Sequence, residues 1–336
     1  MDSEAKSNRC IVMARRPVGE VAPEDWRLEQ REMPQAGAGQ VLVKVSYIDV
    51  QPAMRGWLAE RPAYTPRIEE GEIMRAQGVG EVVESRDPVF AVGDWVHANL
   101  GVQQWAAVDA TGCTRLDLGM GPPQRFLSAL GSSGMTAYFG LYEVGQMAQS
   151  DTVVISSAAG AVGSVAGQIA LQHGCRVVGI AGSEEKCRFL VDELGFHGAI
   201  NYKLEDVYAG LAELCPDGID LYFDNVGGPL LDLVVLQLAK RGRVVLSGML
   251  SQYNGASPGD GLKFYGMLIV RHGRMEGFLA MDYVDRYPEA RQRIAAWLQD
   301  GTVVPRELIL DGVEAFPEAF PMLFDGRSFG KLLIRT

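Results

Sequence analysis

The segment VVISSAAGAVGSVAGQIA carries the strongest chemical signal in the chain. An apolar, β-branched run leads into Ala158-x-Gly160-x-x-Gly163, and a helical pattern opens directly after it. That order is what a dinucleotide site requires. Glycine at 160 lets the backbone come close to a pyrophosphate, and glycine at 163 lets strand and helix pack tightly. The start of the helix offers unpaired N–H groups and the positive end of its dipole to phosphate. Such a glycine string alone is weak, and a βα turn without a ligand is the competing reading. The strand before it and the helix after it favour the ligand.

The end of the next strand selects the cofactor. An NAD site places Asp or Glu there to bind both ribose hydroxyls. This chain reads GIAGSEEK, with small residues at the strand end and then Lys186. Without the carboxylate a ribose 2′-phosphate is not repelled, and Lys186 is a cation for it. The competing reading is a solvated lysine in a first helical turn. NADPH is the expected cofactor. Further on, Asp224-Asn225-Val226-Gly227-Gly228 ends one strand in a glycine-rich turn, and Ser247-Gly248 ends another. Ligands of open parallel sheets sit outside the carboxyl ends of the strands, so these loops face the nicotinamide half.

The elements that position these residues fall into two patterns. From Val41 to about Asp109 the chain reads as short strands with Gly/Asp turns: VLVKVSYIDV, GVGEVVES, PVFAVGDWVHA and QQWAAVD. That pattern predicts a compact β-barrel-like domain. Leu127–Gly145 is helical in spacing, and strand–helix alternation follows it. TVVISSAAG, CRVVGIAG, GAINY, GIDLYFDNVGG and GRVVLSGM read as strands. AVGSVAGQIALQHG and SEEKCRFLVDELG read as helices, the second capped by Ser183 and ended by Gly195. Repeated βαβ units imply a parallel sheet with right-handed crossovers. PEARQRIAAWLQDG is an amphipathic helix, and GKLLIRT is a last strand expected to rejoin the first domain. The predicted architecture is α/β: a Rossmann doubly wound parallel sheet (128–298) inserted in a domain made of 1–127 and 299–336.

Composition narrows the function. Two domains suit 336 residues. A formal charge of -11 gives no basic face for nucleic acid and is consistent with a well-solvated surface. The five cysteines lie apart with no CxxC pair, as in a reducing compartment. MDSEAKSNRC does not read as a signal peptide, and the longest apolar stretch, Val153–Ala170, is broken by Ser and Gly. The expectation is a cytoplasmic protein without a membrane span.

With AAGAVGSVAGQIA, GSEEK, YFDNVGG and RMEGF on the page, the chain resembles the medium-chain dehydrogenase/reductase superfamily over nearly its full length. Within that superfamily it resembles the zinc-free leukotriene/prostaglandin reductases and the NADPH-dependent alkenal double-bond and curcumin reductases. The resemblance implies a GroES-like barrel as the first domain, a homodimer and a set of cofactor contacts. These are Ala161, Val162, Gly163 and Ser164 on the phosphates, Lys186 on the 2′-phosphate, and Tyr202 and Asn225. They continue along Ser247 to Tyr253, with Phe278, Leu279 and Ser328. The chain departs from the family pattern twice. QPAMR (Gln51–Arg55) has Ala53 where DPYMR has tyrosine, at the mouth of the substrate site. GRSFGK has Ser328 where GxNxGK has asparagine, and serine still offers a hydroxyl.

Zinc enzymes of the superfamily use a catalytic Cys and a His–Glu pair. Here Ser46 and Asp49 occupy the corresponding strand and Gln77 stands in the histidine position. Cys10, His97 and Cys113 make no recognisable ligand set, so no metal is expected. His97, His173, His197 and His272 read as structural or surface residues. Without a metal, an alcohol lacks electrophilic help at its oxygen, whereas an α,β-unsaturated aldehyde or ketone accepts hydride at its β-carbon and moves charge to the carbonyl oxygen. The protein then orients the substrate, hydrogen-bonds the enolate and protonates the α-carbon. Tyr253 is the candidate catalytic contact, with anchoring of the nicotinamide ribose as an equal alternative. Tyr47, Met54, Tyr64 and Met135 are candidate substrate contacts, and plain core packing is at least as good a reading for the two methionines. The alternatives to a double-bond reductase are a quinone oxidoreductase of the same fold and a non-catalytic NADPH-binding protein.

Overall fold

The computed structural model describes residues 7–60, 65–254 and 261–336. The chain separates into two compact units. One runs to Leu127 and resumes with Glu307–Ser328 and Leu332–Thr336; the other comprises Ser128–Arg306 and Phe329–Lys331.

Strands β1 (Ser7–Met13), β2 (Trp26–Glu32), β3 (Gln40–Asp49), β4 (Gln77–Ser85), β5 (Trp95–Asn99), β6 (Trp105–Asp109) and β7 (Thr114–Arg115) open the chain. In β4 burial alternates over Gly80, Glu81, Val82 and Val83, as a sheet with one covered face requires. β3 pairs antiparallel with both β4 and β6, and bulges at Leu42/Val43 and Val45/Tyr47 shift its register against β4. Such bulges bend a strand and help a sheet curl. Trp26, Phe316 and Phe320 stack edge-on and face-on in this unit's core.

The second unit holds β8 (Thr152–Ser156), β9 (Arg176–Ala181), β10 (Gly198–Asn201), β11 (Ile219–Asp224), β12 (Leu238–Leu246) and β13 (Arg274–Gly277). Among the described residues they form one parallel sheet in the order β10-β9-β8-β11-β12-β13. Val153, Val154 and Ile155 are successive and all fully buried. Continuous β-branched runs of this kind belong to parallel strands covered on both faces. The order reverses between β8 and β11, because the chain first builds outward through β9 and β10 and then returns. That reversal opens a crevice at the carboxyl ends of β8 and β11.

β14 (Glu307–Asp311) and β15 (Lys331–Arg335) complete the first unit's sheet, with Leu333, Ile334 and Arg335 facing Asp49, Ile48 and Tyr47 of β3. In chain order the parallel-sheet unit is therefore inserted within the first. Three elements differ from expectation. PVFAVGDWVHA is extended only from Trp95, because Asp94 accepts from the Ala91 N–H in a turn through Gly93. The helix after Leu127 is regular only over Ser132–Phe139 and widens into a π turn at Gly140–Val144, where the rings of Phe223 and Phe278 crowd Gly140. SEEKCRFLVDELG likewise divides into an α-helix, Glu184–Arg188, and a π turn, Phe189–Glu193.

Candidate cofactor site

At the end of β8 the chain turns through Ser157 at φ 49, and helix Ala161–Gln172 begins with Gly160 as its N-cap. No side chain caps this helix. The first N–H groups of an α-helix have no partner within it, so they point outward from the turn towards a ligand. Gly163 is fixed by space: a Cβ there would lie 2.5 Å from the Ser157 carbonyl oxygen and 2.8 Å from the Ala158 Cα. Both are backbone atoms and cannot swing aside. Ala161 and Val162 are half-buried on the first turn, whereas Ser164 is buried and lends its carbonyl to Gln168.

A second segment is fastened to this turn. The Gly330 N–H donates to the Ala159 carbonyl at 2.9 Å, and Gly330 bridges Gly160 in parallel. Gly330 has φ 76, and a Cβ on it would sit 2.2 Å from the Arg306 carbonyl oxygen. Only glycine satisfies both demands.

Beside the turn, β9 ends at Ala181, and Ser183 caps helix Glu184–Arg188 by accepting from the Lys186 N–H at 3.2 Å. The Tyr202 ring packs over Gly182, where an added Cβ would meet its Cε1 at 2.9 Å. The place where an NAD site holds its acid is thus taken by a tyrosine ring that is itself half exposed. Lys186 Nζ lies 5.9 Å from the centre of the Phe329 ring.

The crevice between β8 and β11 is held by a buried polar network. Asp224 is fully buried; its Oδ1 accepts from Ser156 Oγ (2.9 Å), Tyr222 OH (2.9 Å) and the N–H groups of Val226 and Gly227 (both 3.0 Å). Burial, reinforced by the Asp224 carboxylate, pushes the Tyr222 phenol well above its ordinary pKa, so it remains a donor. Asn225 donates from its backbone to Ser156 Oγ and from Nδ2 to the Ser156 carbonyl. Its Oδ1 accepts from Ser247 Oγ at 3.1 Å, which ties β8, β11 and β12 together at their carboxyl ends. A fully satisfied buried network of this kind fixes its members rigidly.

The loop after β12 folds onto the same turn. Leu250 and Ser251 donate to the Asn225 and Val226 carbonyls, which brings Tyr253, half-buried, to the strand ends. Phe278 and the exposed Leu279 follow β13, with the Phe278 ring against Gly140. The second unit thus gathers Gly160–Ser164, Lys186, Tyr202, Asn225, Ser247, Tyr253 and Phe278–Leu279 along the carboxyl edge of one sheet. These residues suit a bound dinucleotide: an open helix end for phosphates, a strand end with no acid, and polar loops at the crevice.

The other candidates divide between the two units. Ser328 belongs to the first unit and donates its N–H to the Met322 carbonyl. Tyr47 is half-buried on β3, and Met54 is fully buried in the first unit's core. Met135 is fully buried in helix Ser132–Phe139 of the second unit. Tyr64 lies outside the described residues. Among the described residues no three His, Cys, Asp or Glu side chains come together as a metal site would require. His197 accepts from the Val177 N–H through Nδ1, and His173 packs edge-on against Tyr142. Sequence reasoning placed Asp224 in a strand-end loop without its buried network and did not find Ser156, Phe329 or Arg306, because what they do depends on contacts between distant parts of the chain.

Comparison with known proteins agrees with this geometry. The family described as the N-terminal domain of oxidoreductase matches residues 9–116, and the family described as zinc-binding dehydrogenase matches residues 161–296. The chain is 38% identical over 344 residues to the NADPH-dependent curcumin reductase of Escherichia coli, covering 100% of this chain and 99% of that protein. It is 36% identical over 339 residues to the NADP-dependent 2-alkenal reductase of Nicotiana tabacum, covering 99% and 98%. The crystal structure of CurA from Vibrio vulnificus in complex with NADPH superposes with a TM-score of 0.92 at 38% identity, covering 98% of this chain and 99% of that one.

Proposed function

This chain belongs to the medium-chain dehydrogenase/reductase superfamily, among its NADPH-dependent reductases, and on that premise we propose that it reduces the carbon–carbon double bond of α,β-unsaturated aldehydes or ketones. The observation that carries the reading is the uncapped helix at Gly160 beside a β9 end without an acid, in a chain whose full-length relatives include an NADPH-dependent curcumin reductase and an NADP-dependent 2-alkenal reductase.

When bound, NADPH would supply the hydride for the substrate's β-carbon. The protein's part is to hold, orient and protonate. The open end of helix Ala161–Gln172 receives the pyrophosphate. Ser183, Lys186 and Tyr202, by the β9 end, would hold the 2′-phosphate. The Ser156–Asp224–Asn225–Ser247 network makes a rigid floor at the nicotinamide half. Charge that develops on the substrate's carbonyl oxygen needs a donor already in place. Tyr253 fills that role or holds the nicotinamide ribose. Tyr47, Tyr64, Met54 and Met135 remain the substrate contacts we propose, with Ser328 on the cofactor.

We further propose a cytoplasmic homodimer. No described helix is long and apolar enough to cross a membrane, and the five cysteines are unpaired. Burial pushes the thiols of Cys175 and Cys215 up to about 11, so both stay protonated. β13 is an edge strand, and the adjacent helix Gly266–Arg271 leaves Ile269 77% and Val270 67% exposed. A second copy pairing edge to edge about a two-fold axis covers both features. Light scattering should give twice the mass of the chain, and Ile269→Glu should lower it to that of one chain. A wild type that runs as a single chain refutes the dimer.

The activity is tested by following nicotinamide absorbance with NADPH and with NADH against a panel of enals and enones, with 1,4-naphthoquinone alongside. NADPH oxidation with a saturated carbonyl product is expected. Turnover of the quinone alone removes the double-bond assignment and leaves the fold and cofactor standing.

A further inference from the structure

Lys186 is not the only cation beside the second strand's end. The Arg306 guanidinium lies 3.8 Å from the centre of the Phe329 ring and 5.2 Å from that of Phe189. Phe189 and Phe329 meet edge to face at 4.9 Å, and Lys186 Nζ stands 5.9 Å from the same Phe329 ring. The two cationic groups are therefore no farther apart than the sum of their distances to one ring.

The placement of Arg306 is enforced by its backbone. Its carbonyl accepts from the Lys331 N–H at 2.8 Å and faces Gly330, the residue that bridges Gly160 at the phosphate turn. Phe329, the residue before Gly330, is thereby tethered next to the phosphate turn, with its ring against Phe189. A guanidinium stacked flat on an aromatic ring keeps its N–H edge free, and that edge forms paired hydrogen bonds with phosphate. Among the described residues the contacts of this guanidinium are rings, not carboxylates, in a protein whose formal charge is -11.

We infer that Arg306, stacked on Phe329, is a second specificity-determining cation for the 2′-phosphate of NADPH and brackets that group opposite Lys186. This inference rests on the NADPH reading above. Phe329 acts as the platform: its ring holds the guanidinium without neutralising it, which a carboxylate would do. NADH, which has a hydroxyl where NADPH has the phosphate, gives Arg306 nothing to bind.

The test compares the dissociation constants of NADPH and NADH for the wild type, Arg306→Gln and Arg306→Lys, by fluorescence titration of the purified full chain. Competition by 2′,5′-ADP and by 5′-AMP isolates the 2′-phosphate. Arg306→Gln should weaken NADPH and 2′,5′-ADP about tenfold while NADH and 5′-AMP change less than about twofold. Arg306→Lys should recover part of the loss, since a point charge remains without the planar fork. Thermal unfolding without cofactor checks that each variant is folded. Equal weakening of NADPH and NADH, or an unchanged preference in Arg306→Gln, overturns the inference and leaves the NADPH reading intact. A wild type that binds both cofactors alike overturns the NADPH reading, and the inference with it.

Discussion

Two helices of the parallel-sheet unit begin in opposite ways. The helix after β8 starts at Gly160 with no side chain on its exposed N–H groups. The helix Val207–Leu214, after β10, starts at Asp206, whose carboxylate accepts from the Tyr208 and Ala209 N–H groups at 2.9 and 3.1 Å. A glycine at the N-cap is only a few tenths of a kcal/mol poorer than an aspartate, so the Gly160 end leaves its N–H groups without a side-chain partner at roughly that small cost. Other helices of the unit also lack a side-chain cap, and the Gly160 end differs from them in following β8, next to β11 where the strand order reverses. Helix Glu184–Arg188, capped by Ser183, is intermediate: Ser183 accepts from one of its first N–H groups, and half-buried Lys186 stands near the Phe329 ring.

If the Gly160 end is a binding surface, damage there must register mainly in cofactor affinity. Gly163→Ala is the sharpest way to break it. The added methyl meets the Ser157 carbonyl and the Ala158 Cα, and the turn has to move to admit it. Overpacking of this kind costs roughly 1–3 kcal/mol in stability. Displacing the turn also misaligns the N–H groups, so NADPH affinity should fall by more than about tenfold, the loss expected for roughly 1.4 kcal/mol. Isothermal titration with NADPH, beside a melting curve without it, separates the two effects. Undiminished binding in a folded Gly163→Ala protein shows that the turn does not carry the phosphates.

How much of this could be read from the sequence depends on how far apart the interacting residues are. The glycine turn and the missing acid after β9 are local features, each contained in a few consecutive residues, and both are legible. The continuous apolar runs of β8 and β9 likewise announce a parallel sheet buried on both faces. The Ser156–Asp224 contact joins residues 68 apart, and either residue taken alone reads as an ordinary strand end. Arg306 and Phe329 read as a loop residue and an apolar residue until the Gly330 backbone brings them to the phosphate turn. Tyr202 was legible only through resemblance, since its position over Gly182 follows from the pairing of β9 with β10. The two π turns escaped for a related reason. The apolar spacing of Leu127–Gly145 fits a continuous helix, and it carries no sign of the Phe223 and Phe278 rings that leave no room for a side chain at Gly140, where the π turn begins.

The closed end provides the smallest effect and the control. Asp206→Ala removes the carboxylate that satisfies the first N–H groups of helix Val207–Leu214. Those groups are exposed at the surface, so water replaces the lost acceptor in part, and the expected cost is about 1 kcal/mol. The cap lies after β10, at the outer edge of the sheet, away from the Gly160 turn and from the β8–β11 crevice. NADPH affinity should therefore stay within about twofold of wild type, because mutations at well-separated sites act almost independently. Urea unfolding gives the stability term, and titration of the same sample gives the affinity. A large loss of NADPH binding in Asp206→Ala means that the parallel-sheet unit responds to cofactor as a whole. An open and a closed helix end then cannot be told apart by function, whatever their caps.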